Sequence, residues 1–336
     1  MRKLIFCLAL LLVGCDENGV GLVVSPDTGQ DLIPDESDWT VRLTMPGSLN
    51  DVVWDGQVFI AVGDGGAVFT SVDGIDWVAR ESATDDGLSA IAAFGSDIYA
   101  VGGSAVLLST DHGETWSVIG QDLPGNVVAA NSTQVIAFGV VGDMFAPLIM
   151  SSEDRGETWQ TIVISWWISD LIYRDGLFVA AAHTSPISGS IVPCVIVSTD
   201  GKQWNEILVG EEVAPLRAVF YADSQFFVAG DEGTVFSSFD AFNWTELSTP
   251  LEDVDYFGGA WNGTQLMLAG GVASDQNRQD GTYRPIGISS IDGGASWDIF
   301  GVDIGYESGA LAWGNGRFVS VGTSVLTDEG AIYTTD

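Results

Sequence analysis

Basic side chains are scarce in this chain: 11 Lys and Arg stand against 46 Asp and Glu in 336 residues, a formal charge of −35. That shortage excludes a nucleic-acid backbone as partner, because phosphate binding needs a Lys/Arg surface that releases counterions. Two histidines provide no His-rich zinc constellation. Also missing are a Gly-Lys-Ser/Thr phosphate loop, a Gly-x-Ser-x-Gly elbow and a dinucleotide fingerprint. Charged residues make up 17% of the chain and hydrophobic ones 46%, which is not the composition of a disordered segment, so a packed core is expected. What the chain has in excess is glycine, 42 residues, and tryptophan, 12, a pairing that suggests many tight turns, each with a large apolar anchor.

The start reads as an address. Arg2 and Lys3 precede an apolar run from Leu4 to Val13, too short for the roughly 20 residues of a bilayer span but of signal-peptide length. The run ends in Leu12-Val13-Gly14-Cys15, which resembles the lipobox of bacterial lipoproteins. The resemblance implies cleavage before Cys15 and acylation of its thiol and new amino group; an ordinary secretory signal is the alternative. Residues 1–14 are then a lipoprotein signal peptide, and 15–36 are a lipidated cysteine with a flexible acidic tether rich in Asp, Gly, Pro and Ser. The expected location is the bacterial cell envelope, with membrane contact through the lipid anchor only. Asp16 after the cysteine resembles the enteric signal for inner-membrane retention. Loss of Arg2 and Lys3 takes the charge from −35 to −37. Cys7 leaves with the signal and Cys15 is acylated, so Cys194 has no disulfide partner and is expected to be a small buried hydrophobe.

Residues 37–336 repeat one unit. Ser109-Thr110-Asp111-His112-Gly113-Glu114-Thr115-Trp116 recurs as Ser152 to Trp159 and as Ser290 to Trp297, and shorter versions run from Ser71 to Trp77, Ser198 to Trp204 and Ser238 to Trp244. The aspartates fall at 73, 111, 154, 200, 240 and 292, with spacings of 38, 43, 46, 40 and 52. A period near 40 means one structural unit with scattered insertions. Two short β-branched or aromatic runs separated by Gly and Asp precede each box, as in Val58–Gly63 and Ala67–Ser71, with a further run upstream such as Asp51–Trp54 and a fourth after each tryptophan. Four strands per unit predict an all-β, seven-bladed β-propeller. Thr334-Thr335-Asp336 begins a seventh box and Ser37-Asp38-Trp39 completes it, so the last blade should be closed by the N-terminal strand.

The boxes resemble the Asp-box, or BNR, repeats of the sialidase superfamily, which also occur in sortilin-type ectodomains, xyloglucan-cleaving hydrolases and photosystem II assembly factors. The pairs Asp73/Trp77, Asp111/Trp116, Asp154/Trp159, Asp200/Trp204, Asp240/Trp244, Asp292/Trp297 and Asp336/Trp39 are read as structural: the carboxylate accepts turn amides and the tryptophan anchors the strand. A sialidase needs an arginine triad and an Arg-Ile-Pro motif. Arg42 sits in Val41-Arg42-Leu43 and does not match; Tyr283-Arg284-Pro285 is the nearest echo. No catalytic residue is assigned.

Boxes joining third to fourth strands all fall on one rim, which places the functional loops on the other. Asp64, Asp85, Asp86, Asp122, Glu211, Glu212, Asp231, Glu232, Glu252, Asp253, Asp303, Glu307, Asp328 and Glu329 are predicted in loops there. They form either a solvated acidic surface or a mouth for a basic protein segment or for Ca²⁺. Three insertions, Val140–Pro147, His183–Cys194 and Gly271–Pro285, are candidate recognition loops, the last carrying Arg278, Tyr283 and Arg284. Of Trp166 and Trp167, one is expected at a blade interface and the other exposed. The resulting expectation is a monomeric, non-catalytic platform for an envelope protein. A glycan-binding or glycoside-hydrolase-like propeller using rim carboxylates is the alternative.

Overall fold

The computed structural model describes residues 39–141, 146–184, 191–210, 214–272, 284–301, 307–323 and 329–335. Residues 1–36, expected to be signal and tether, with Cys15 among them, and Glu211, Glu212, Arg278, Tyr283, Asp303, Asp328 and Asp336 lie outside the described residues, as do the side chains of Arg284 and Glu307. Seven antiparallel sheets of four strands form the blades of a β-propeller, each ordered from an innermost to an outermost strand. The inner strands are Leu49–Trp54, Ala90–Phe94, Val127–Ala130, Trp166–Arg174, Leu216–Ala222, Val254–Trp261 and Glu307–Gly314, and they begin blades 1 to 7 in that order. In the seventh blade the outermost strand is N-terminal: Trp39–Pro46 pairs with Glu329–Thr335, in register from Trp39 opposite Thr335 to Pro46 opposite Glu329, with one bulge between Val41 and Leu43.

Burial follows position in the blade. Second strands are sandwiched between neighbouring blades and read as unbroken apolar runs, as in Phe59–Gly63, buried at every residue. Outermost strands face solvent; every residue of Gln160–Val163 is exposed. The second strands of blades 1, 2 and 5 end in glycine for a steric reason: a Cβ on Gly63 would lie 2.2 Å from the Ser48 carbonyl oxygen, and one on Gly230 would lie 2.0 Å from that of Pro215. The carbonyl belongs to the chain entering the blade, and only a residue without a side chain lets it pass.

Seven apolar clusters, one per blade interface, make up the described core, and each takes in one box tryptophan. Trp116 belongs to the cluster between blades 1 and 2. Trp159, Trp204, Trp244, Trp297, Trp39 and Trp77 pack against the interfaces that follow around the ring. The tryptophan always joins the cluster shared with the preceding blade, and within a blade aromatic chains such as Trp54–Phe59–Trp77 and Tyr173–Phe178–Trp204 link it to the first and second strands at centroid distances of 4.5 to 6.3 Å. Trp39 stacks on Phe300 of blade 6 at 6.5 Å.

Several local expectations are corrected. The ends of the three insertions are strand, not loop: Val140 pairs with Pro147, His183 with Pro193 and Gly271 with Pro285, because the central hairpins of blades 3, 4 and 6 are extended. His183 therefore lies in the strand Leu177–Thr184, and Glu307 and Glu329 open strands rather than sitting in loops. Trp166 packs against the core between blades 3 and 4 as expected of one of the pair, but Trp167 is half-buried too. Cys194 is buried and free, with its thiol pushed up to about 12 by burial.

Because Trp116 is 9% exposed and sits in a shared core, Trp116→Ala should cost about 3–5 kcal/mol through the cavity it leaves. Denaturant unfolding of the full chain checks this, and a midpoint equal to wild type would contradict the anchoring role.

Candidate functional site

The turn rim is closed by its own hydrogen bonds. In the eight-residue turns Asp111, Asp154 and Asp292 each accept the backbone N–H of the fourth following residue on Oδ1 and its hydroxyl on Oδ2, as Thr115 donates to Asp111 at 2.9 and 2.6 Å. The seven-residue turns lack that hydroxyl residue, and Asp73, Asp200 and Asp240 take two successive backbone N–H groups on Oδ1 instead. The serine two positions earlier donates its hydroxyl to the carboxylate in all six described turns. Trp77, Trp116, Trp204 and Trp244 donate Nε1 to a carbonyl of their own turn, as Trp116 does to Gly113 at 3.1 Å, whereas the buried Nε1 of Trp297 has no partner among the described residues. Trp159 differs and reaches Ile119 of the preceding blade at 3.3 Å.

The same rim is stitched from blade to blade. His112 Nδ1 lies 2.6 Å from Asp55 Oδ2 of blade 1, and Arg155 Nη2 of blade 3 lies 2.6 Å from Asp97 Oδ1 of blade 2. Lys202 of blade 4 pairs with Glu153 of blade 3 at 2.6 Å, and the Tyr221 hydroxyl of blade 5 donates to Asp175 of blade 4. The turn rim thus holds paired acids of its own beside the box aspartates. The sorting is in the cations, which the turn rim uses to neutralise its carboxylates.

The inner strands enclose a channel of about 460 Å³. Its wall carries two carboxylates that the repeat pattern did not flag, Asp51 of blade 1 and Asp170 of blade 4. Each follows a one-residue bulge, and each clips its blade to the next: Asp51 accepts N–H from Val52 and, across the interface, Ile91 at 2.7 and 2.8 Å. Asp170 accepts from Leu171 and Val219, both at 2.8 Å. The sequence signal was a polar pair, Asn50-Asp51 or Ser169-Asp170, ahead of an apolar pair, Val52-Val53 or Leu171-Ile172.

Above them, the opposite rim presents Asp64, Asp85, Asp86, Asp122, Glu232, Glu252, Asp253 and Glu329, all exposed. Asp64 holds the entering chain by accepting the Ser48 N–H at 3.0 Å. Asp231 is engaged: the Arg217 guanidinium forks onto its two oxygens at 2.7 Å each. Glu232 beside it points outward from a left-handed backbone, φ 55°. Among the described residues no group of three or more His, Cys, Asp or Glu is placed to hold a metal ion.

The two carboxylate populations titrate in opposite directions. The Thr158 hydroxyl and amide hold Asp154 down at about 2, and the Ser296 hydroxyl and amide do the same for Asp292. Burial, reinforced by the charge of Asp170 and opposed by its two amide donors, pushes Asp51 up to about 7, and burial takes Asp170 to about 6. A lowered native pKa means that the turn contribution is complete above the ordinary 3.8 and is lost as pH falls through about 2. A raised native pKa means the reverse: the channel contribution is complete below 3.8 and is lost as pH rises through about 6 to 7. Thermal midpoints measured across pH should therefore decline on both sides, and Asp51→Asn should flatten the upper decline while lowering the plateau by leaving one amide poorly paired. An upper limb unchanged in Asp51→Asn would contradict the assignment.

No family profile and no curated protein sequence matches the chain. In shape it is similar to a structure described as YCF48 bound to D1 peptide, 19% identical with a TM-score of 0.64, over 90% of this chain and 97% of that one. It is also similar to virginiamycin B lyase from Staphylococcus aureus, at 8% identity and a TM-score of 0.65, over 88% and 99% of the two chains. The GH74 xyloglucanase from Xanthomonas campestris is 14% identical with a TM-score of 0.59 over 84% of this chain, which spans only 52% of the enzyme. At these identities the shared property is the seven-bladed architecture.

Proposed function

We propose that the chain is a lipid-anchored envelope protein whose Asp-box propeller is a non-catalytic platform for a basic segment of a protein partner, held at the rim opposite the box turns. The observation that carries this reading is the asymmetry of charge pairing. Cations are spent within the turn rim, whereas at the channel mouth the described cation, Arg217, is committed to Asp231, and Asp85, Asp86, Glu252 and Asp253 stand exposed. Exposed carboxylates on a rigid ring steer and retain a cationic partner. The similarity to YCF48, which was solved with a bound peptide, supports a platform of this kind. A hydrolytic reading would turn to Asp51 and Asp170, but in each carboxylate one oxygen accepts the following residue's N–H and the other an N–H of the next blade.

Fluorescence anisotropy with a labelled Lys/Arg-rich peptide should show binding to the full chain that weakens about tenfold between low and physiological salt. Reversal of Asp85, Asp86, Glu252 and Asp253 to Lys should abolish it, and equal affinity in that variant would refute the platform. The anchor is checked separately: intact-mass measurement of envelope-purified protein should show acyl chains on Cys15, absent in Cys15→Ser.

A further inference from the structure

At one position of the turns the residues sort by blade into a polar run and an apolar run. In the Ser-x-Asp turns the middle residue is Thr110, Glu153 and Thr199 in blades 2, 3 and 4, but Val72, Phe239 and Ile291 in blades 1, 5 and 6. The last three are 63%, 76% and 77% exposed, and Phe242 in the blade 5 turn adds another ring at 41%. These are costly positions for large apolar side chains in a monomeric surface. They fall on one arc of the rim, because blades 5, 6, 7 and 1 are successive around the ring, and the hairpin between the first two strands of blade 7 is joined to the blade 1 turn by Asn315 Nδ2 donating to the Val72 carbonyl at 3.0 Å.

The chain enters the propeller inside this arc. Trp39 lies opposite Thr335 at the turn-rim end of blade 7, between the turns carrying Ile291 and Val72. Cys15 lies 24 positions earlier, a distance that an extended chain spans in at most about 80 Å and a flexible one in about 25–30 Å. We infer that the apolar arc formed by Val72, Phe239, Phe242 and Ile291 is a membrane-seating surface, which rests the turn rim on lipid headgroups and turns the acidic rim away from the bilayer. Orientation toward the membrane rests on the anchor reading of Cys15; the arc itself is independent of it. Short apolar tips flanked by exposed aspartates enter the headgroup boundary without recruiting anionic lipid. Asp76 and Asp298 beside the turns make an anionic surface the poorer one.

Hydrogen exchange on the full chain incubated with phosphatidylcholine vesicles tests this. Amides at 239–243 and 291–296 should exchange at least about fivefold more slowly with vesicles, while those at 84–88 on the other rim stay unchanged. Mixed phosphatidylcholine–phosphatidylglycerol vesicles should protect less. The combined variant Phe239→Ser, Phe242→Ser, Ile291→Ser should keep its thermal midpoint and its acyl mass yet lose the protection. A chain that does not float with vesicles, floats without turn protection, is protected at 84–88 instead, or is protected equally in the variant overturns the inference. Turn protection in a chain without acyl mass overturns the anchor reading and leaves the arc standing.

Discussion

The pairing of Trp39–Pro46 with Glu329–Thr335 is the constraint on which the rest depends. A row of six four-stranded blades and one of three would leave open faces at both ends, each with an apolar surface and no neighbour. By giving the last blade its outermost strand from the other end of the chain, the protein turns seven separate sheets into seven equivalent interfaces. Every tryptophan then has a preceding blade to pack on, and the inner strands converge on one channel instead of fanning out. Trp39 stacked on Phe300 fills the sixth-to-seventh interface from the strand that makes closure possible, so latch and core are one element.

Given the ring, the turns distribute chemistry by length. An extra residue between Asp and Trp brings a Thr or Ser hydroxyl to Oδ2, as at Thr115, Thr158 and Ser296, whereas the shorter turns gather two backbone amides on Oδ1, and at Asp240 an Asn243 side-chain amide takes the place of the hydroxyl on Oδ2. The distinction is written in the sequence and survives intact in the hydrogen bonds. Strand count, closure and the assignment of each box to a third-to-fourth-strand turn were legible for the same reason: they are local patterns repeated often enough for the period to show.

What was not legible arises between blades. His112 and Asp55 are 57 positions apart, and Arg155 and Asp97 are 58; neither pair shares a motif, and only ring geometry brings them together. The register correctly placed carboxylates on the two rims but was silent on which would be neutralised, so the acidic surface looked one-sided when its pairing was. Asp51 and Asp170 escaped because a strand aspartate normally argues against burial; here a bulge re-aims the backbone and the neighbouring blade supplies the compensating amide. Their two clips, at the first-to-second and fourth-to-fifth interfaces, place ionisable groups where the other inner strands carry Ala, Val or Gly.

The latch strand also has a mechanical meaning. Any pull on the chain ahead of Trp39 is delivered first to the strand that closes the ring, at the end where Trp39 faces Thr335. Load would have to peel a strand held on one side only, and its first losses would be the Trp39 stack on Phe300 and then the bulge at Val41–Leu43. The ring thus opens at its seam before any blade is distorted, and a propeller held by its N-terminal segment carries its weakest mechanical point where force enters.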